Sequence, residues 1–163
     1  IPREEFKSRL KLAPRIFNAT IKKLAESNLL ADGRGVISRP GYEIRFEAGQ
    51  QAKVEELMRK FSANPFATPS VKECQAEIGE EIVNALIETG VLVAVSSDVL
   101  FRKQDYEEMV GKIKTAIQKN GQVTLGEVRD MLGTTRKYIQ ALLEHLDAMG
   151  VTMRDGDARK LRK

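Results

Sequence analysis

The sequence has no tryptophan, and aromatic residues make up only 6% of it. A stacking platform for single-stranded bases needs a series of exposed rings, so this composition argues against one. One cysteine, Cys74, rules out an internal disulfide and fits a reducing, cytoplasmic setting. It sits in the charged stretch KECQAEIGEE and reads as a structural or incidental thiol. The single histidine, His145, falls inside a helical pattern, where packing or a surface position is its ordinary role. No Cys/His spacing suits a metal, and neither a G-x-x-x-x-G-K-[ST] phosphate loop nor a nucleophile elbow occurs. The acidic pairs Glu4-Glu5, Glu55-Glu56 and Glu80-Glu81 are neighbours on helix surfaces. They do not face each other as an acid/base couple would. No enzyme is therefore expected in this segment. No apolar run approaches the roughly 18–20 residues of a membrane span, no signal peptide is visible, and nothing suggests a dimerising coiled coil, so a monomer away from membranes is expected.

What is present is a repeat. At 163 residues, with 42% hydrophobic and 31% charged content, the chain can form one domain or two to three small ones. Three runs share one pattern: NATIKKLAESNLLADGRG, EEIVNALIETGVLVAVSSD and RKYIQALLEHLDAMGVTMRDGD. Each shows an apolar helix face, then Asn28, Gly90 or Gly150 where a C-terminal cap needs left-handed geometry, then a short strand and turn. The copies lie roughly 60 residues apart, the length of a small domain of three helices and a hairpin. The expected fold is mainly α with small β-hairpins: tandem winged helices over 1–46, 47–103 and 104–163.

The last copy is the clearest. Tyr106, Met109, Val110, Ile113 and Ile117 recur at helical spacing and stop at Asn120-Gly121. Thr124 and Glu127 have the form of a capping box opening a short second helix. Gly133 ends it, and Thr134 or Thr135 can cap a third helix whose apolar face is Ile139, Leu142, Leu143, Leu146 and Met149. A ribbon then pairs VTMR with ARKL around Asp155-Gly156, a type I′ hairpin signal. In the middle copy, Val54 to Phe61 marks a first helix. The loop Pro65–Pro69 follows, Ser70 caps the second helix, and Leu92–Phe101 forms a hairpin turning at Ser96-Ser97-Asp98. The first copy keeps helices at Arg3–Leu10 and Phe17–Leu24 and a wing up to Phe46, without a first helix of its own. Together with a start at Ile1, that is expected of a fragment of a larger protein.

Charge separates the copies. Basic and acidic residues number 10 and 5 in 1–46, 6 and 9 in 47–103, and 11 and 9 in 104–163. The acidic middle copy should be repelled by a phosphate backbone and reads as a spacer or protein contact. Residues 151–163 alone hold five cations and two acids. Helix N-termini attract phosphate through unpaired N–H groups and the helix dipole. Thr134, Thr135, Arg136, Lys137 and Tyr138 at a helix start, beside Arg154, Arg159 and Lys160 on a ribbon, thus form a candidate nucleic-acid site.

The stretch LGTTRKYIQALLEHLDAMGVTMRDGDARKL closely resembles the C-terminal winged helix of the bacterial selenocysteine-specific translation elongation factor. Thr135 stands where that family often has Ser. The strong match covers about the last forty residues. Upstream the agreement is mainly architectural, with the chain corresponding to the third, the fourth and part of the second of four tandem winged helices. The resemblance implies that the last copy holds the selenocysteine insertion hairpin of a messenger RNA, so that UGA is decoded as selenocysteine. The ribosome, selenocysteinyl-tRNA, GTP and Mg would belong to the parent factor, with no cofactor in this segment. The resemblance also places the helix start Thr134–Tyr138 and the wing residues Arg154, Gly156, Asp157 and Arg159 on the RNA-facing region, which with Lys160 makes ten candidate residues, and isolated 104–163 is expected to retain hairpin affinity. The main alternative is a DNA-binding transcription regulator, which would read duplex half-sites, typically as a dimer.

Overall fold

The computed structural model describes residues 1, 3–33, 36–40 and 46–162. Residues 41–45 of the first copy's expected wing, and Lys163, lie outside them. The chain divides into two compact units, 1–45 and 46–163.

In unit 1, α1 (Arg3–Leu10) is followed by α2 (Pro14–Glu26), then by β1 (Ala31–Gly33) paired antiparallel with β2 (Val36–Ser38). Pro14 suits the first turn of α2, where its missing N–H is not needed. Phe17 and Ile21, one turn apart, are buried with Ile37, and Phe6 and Leu30 close over them.

Unit 2 holds two further copies. The middle copy is α3 (Ala48–Ala63), α4 (Val71–Ile78), α5 (Glu80–Glu88), and a hairpin of β3 (Leu92–Ala94) with β4 (Leu100–Arg102). Ser70 caps α4 in a reciprocal box with Glu73, as the sequence indicates. Cys74 is fully buried in this copy's core, and burial pushes its thiol up to about 11, which keeps it unreactive. The last copy is α6 (Lys103–Asn120), β5 (Val123–Thr124), α7 (Leu125–Leu132), α8 (Arg136–Ala148), β6 (Thr152–Asp155) and β7 (Ala158–Leu161).

One helix ending recurs in all three copies. Asn28, Gly90 and Gly150 have φ of 54°, 73° and 70°. The next N–H in each copy reaches back five residues: Leu29 to Leu24, Val91 to Leu86 and Val151 to Leu146, each at 2.9 Å. This is the six-to-one bond of a Schellman ending. It redirects the chain into the hairpin, which is why the repeat is legible as helix, Gly or Asn, then strand.

The last copy departs from the sequence reading in three ways. Its sheet has three strands in the order β5-β7-β6, with the unforeseen β5 pairing Val123 with Arg159 and Thr124 with Ala158. A two-residue strand that ends on the helix cap itself carries no periodic signal, so β5 is not visible in the sequence. The hairpin turns at Gly156-Asp157, because Asp155 pairs with Ala158. Gly156, with φ 60°, is therefore the first central residue, as in a II′ turn and not the expected I′. Thr135 occupies the position before α8, but its side chain makes no capping bond.

The two copies of unit 2 share a wall. In β4, Leu100 points into the middle core and Phe101 into the last one, as alternation along a strand requires. Val95 and Val99 from the same hairpin join Phe101 among the last copy's buried residues. Arg102 grips Asp105 at the start of α6 through two bonds, at 2.6 and 2.9 Å, and also reaches Ser62 at the end of α3.

Candidate nucleic-acid interface

Between α7, the start of α8 and the hairpin lies a cleft of about 300 Å³ lined by Arg129, Arg136, Arg154, Arg159, Asp157 and the residues 124–126 that open α7. Each arginine is held differently. Arg159 is only 4% exposed and donates to Asp147 at 3.3 Å, while the Thr152 hydroxyl donates to the other oxygen of that carboxylate at 2.6 Å. Arg154 donates to the Gly156 carbonyl at 2.9 Å, bracing the turn from its own strand. Arg129 pairs with the adjacent Asp130. Arg136 is exposed and, among the described residues, has no partner.

The cleft therefore has a buried, ion-paired guanidinium as its floor and an exposed, unpaired one at its rim. With Arg129 and Arg159 paired to Asp130 and Asp147, Arg136 and Arg154 carry the charge that suits a phosphate or the acceptor edge of a base. The opening of α7 is organised by a capping box. The Thr124 N–H and hydroxyl bond the Glu127 carboxylate at 2.7 and 2.8 Å and hold its pKa below the usual range.

The structure divides the ten candidate residues. Arg136, Arg154, Asp157 and Arg159 come together in the cleft, and Gly156 sets the turn beside it. Lys160 is tied to Asp155 across the hairpin at 2.5 Å, which also lowers the Asp155 pKa. Thr135 is exposed at the mouth of α8. The remaining three face the middle copy. Thr134 donates its hydroxyl to the Phe66 carbonyl, and Tyr138 donates to the Thr68 carbonyl at 2.8 Å. Lys137 pairs with Asp98 at 2.5 Å, and that bond raises its pKa. The helix start expected to be one surface is therefore two, with one side in the cleft and the other docked.

Sequence reasoning missed Arg129, Leu125 and Gly126. The Thr124–Glu127 motif was read as a helix start, and its position opposite the wing depends on β5 pairing with β7. His145 packs edge-on against Tyr106 at 5.7 Å, and burial lowers its pKa.

Arg159→Ala should lower stability by about 1.5–3 kcal/mol, the usual contribution of a hydrogen bond to a charged group. Urea unfolding would show it. A loss under about 0.5 kcal/mol, within the range of surface substitutions, would mean that the Asp147 pair holds nothing in place.

The fold and the cleft define a tandem winged-helix protein with a cationic pocket between recognition helix and wing. Residues 115–161 match the winged helix of elongation factor SelB, and the chain is similar over nearly its whole length to selenocysteine-specific elongation factors. It is 24% identical to that of Desulfomicrobium baculatum over 156 residues, covering 92% of this chain and 25% of the relative. For the Escherichia coli K12 factor the identity is 26% over 148 residues, covering 87% and 24%. The chain thus spans about a quarter of the length of these relatives. Among solved structures it resembles the mRNA-binding domain of elongation factor SelB from E. coli in complex with SECIS RNA. That likeness has a TM-score of 0.58 and 26% identity, over 72% of this chain and all of that one. A crystal structure of a bacterial selenocysteine-specific elongation factor aligns with the whole chain over 26% of its own length, at TM-score 0.58 and 18% identity, a likeness of fold. No helix among the described residues is long and apolar enough to cross a membrane.

Proposed function

We propose that this chain is the messenger-RNA-binding region of a selenocysteine-specific elongation factor. It would hold the selenocysteine insertion hairpin so that the factor sits where UGA is to be decoded as selenocysteine. The observation that carries this reading is the four-arginine cleft, built within the segment that matches the SelB winged helix. The E. coli domain solved with SECIS RNA supports it.

The chemistry fits RNA. An A-form major groove is too narrow for α8 to enter, so readout falls on loops and extruded bases. A cleft of about 300 Å³ can admit one nucleobase or a phosphate with its sugar. In this reading Arg159 supplies a pre-positioned charge, and Arg136 and Arg154 close on the ligand from helix and wing. Arg129 and the opening of α7 form the far side. GTP, Mg, selenocysteinyl-tRNA and the ribosome are assigned to the rest of the parent factor, which acts in the cytoplasm. This segment itself acts as a monomer without a cofactor.

Competition binding tests the reading. The full chain should prefer the hairpin RNA over a loop-mutated hairpin by at least tenfold, and over duplex DNA by more. Equal affinity for the two hairpins would remove the loop from recognition, and a preference for duplex DNA would make the chain a DNA regulator.

A further inference from the structure

The first unit has charge that the hairpin site does not use. Its described acids are all paired: Glu4 with Lys7, Glu5 with Arg9, Glu26 with Lys22 and Asp32 with Arg3. The side chains of Lys11, Arg15, Lys23 and Arg39 have no ion-pair or hydrogen-bond partner among the described residues. Intramolecular pairing therefore does not account for this surplus.

The repeat shows where the surplus lies. The third helix of each copy buries its fourth residue: Phe17 in α2, Val83 in α5 and Ile139 in α8. Aligned on that position, the helices open Pro14-Arg15, Glu80-Glu81 and Arg136-Lys137. Helices α2 and α8 are both 13 residues long, whereas α5 has 9. The first copy thus shares the helix length of the last copy, with Pro14 at the position of Arg136 and Arg15 at that of Lys137, where the middle copy has two acids. Along α2, Arg15, Lys22 and Lys23 fall opposite the buried Phe17 and Ile21, so they share the solvent face. Lys11 precedes the same helix, and all four are exposed.

We propose that this face of unit 1 is a second RNA-binding surface, which grips the phosphate backbone of duplex RNA separate from the insertion hairpin. Backbone geometry is the match because cations dominate the face and the chain has few aromatic rings on which to stack single-stranded bases. A separate RNA is the match because the hairpin needs less than the whole chain in a relative. The E. coli domain solved with SECIS RNA is covered in full by 72% of this chain. With the hairpin held in the arginine cleft of unit 2, the cations of unit 1 remain for another strand pair. That this RNA is a second and separate one rests on the hairpin assignment.

The test uses the full chain saturated with unlabelled hairpin RNA and titrated with a labelled, blunt-ended duplex RNA of unrelated sequence. A ternary complex should form. The variant Lys11→Gln/Arg15→Gln/Lys23→Gln should weaken duplex binding by on the order of tenfold or more, and reduce the slope of log K against log salt by roughly 2–3, about one per lost phosphate contact. Hairpin affinity should stay within about twofold, and circular dichroism should be unchanged, because the three side chains are exposed and unpaired. Duplex binding that survives in the variant would overturn the proposal. So would full displacement of the duplex by hairpin, which would place both RNAs on one site. Failure of hairpin binding with a normal duplex response would instead refute the hairpin assignment and leave this surface standing.

Discussion

Phe101→Ala is expected to destabilise residues 46–163 by about 3–5 kcal/mol, the range for removing a fully buried ring. Phe101 has no exposed surface, and it belongs by chain to the middle copy's hairpin and by packing to the last copy's core. Tyr138 of α8 lies against it with ring centroids 6.2 Å apart. Removing the ring empties the wall between the copies and loosens the Tyr138 and Thr134 bonds to residues 66–68. Denaturant unfolding should show one transition in the parent chain's unit 2 and an earlier one in the variant. Two separate transitions in the parent, or a loss below about 1 kcal/mol, would show that the copies fold independently. The shared wall also revises the expectation that 104–163 retains hairpin affinity alone. That fragment lacks Val95, Val99 and Phe101 from its core and leaves Tyr138 without its acceptor. Residues 46–163 are the smaller part expected to work.

Arg136→Ala is expected to weaken hairpin binding by about 1–3 kcal/mol, roughly 5- to 150-fold. Folding should be untouched, since Arg136 is exposed and has no partner among the described residues. Lys137→Ala, one residue on, should cost much less affinity because Lys137 is already paired with Asp98. Gel-shift titrations against hairpins of differing loop sequence add a second readout. A loss equal for all loops marks Arg136 as a phosphate clamp, and a loss confined to the preferred loop marks it as a base reader. Unchanged affinity for every hairpin, or a larger effect from Lys137, would take Arg136 out of the site.

The elements were legible because what forms them is local. The capping boxes at Ser70-Glu73 and Thr124-Glu127 pair residues three apart. The stops at Asn28, Gly90 and Gly150 depend on backbone torsions of one residue. The apolar faces of α6 and α8 repeat at helical spacing. Half of the cleft was legible too, as the cations of helix and wing. Arg129 was not, because it joins the cleft only through the pairing of β5 with β7. The docking of Thr134, Lys137 and Tyr138 was hidden for a similar reason, since their partners Phe66, Asp98 and Thr68 lie some 40 to 70 residues earlier.

The sequence by itself determined the repeat, the charge of each copy and the helix and ribbon that carry the arginines. Only the tertiary structure decided which way those side chains face. Arg136 and Lys137 are adjacent in sequence but about 100° apart around a helix of 3.6 residues per turn. One therefore reaches the cleft and the other Asp98 in the hairpin of the middle copy. Spacing along a chain sets that angle; what stands on either side of the helix is set by the packing of β4 between two cores.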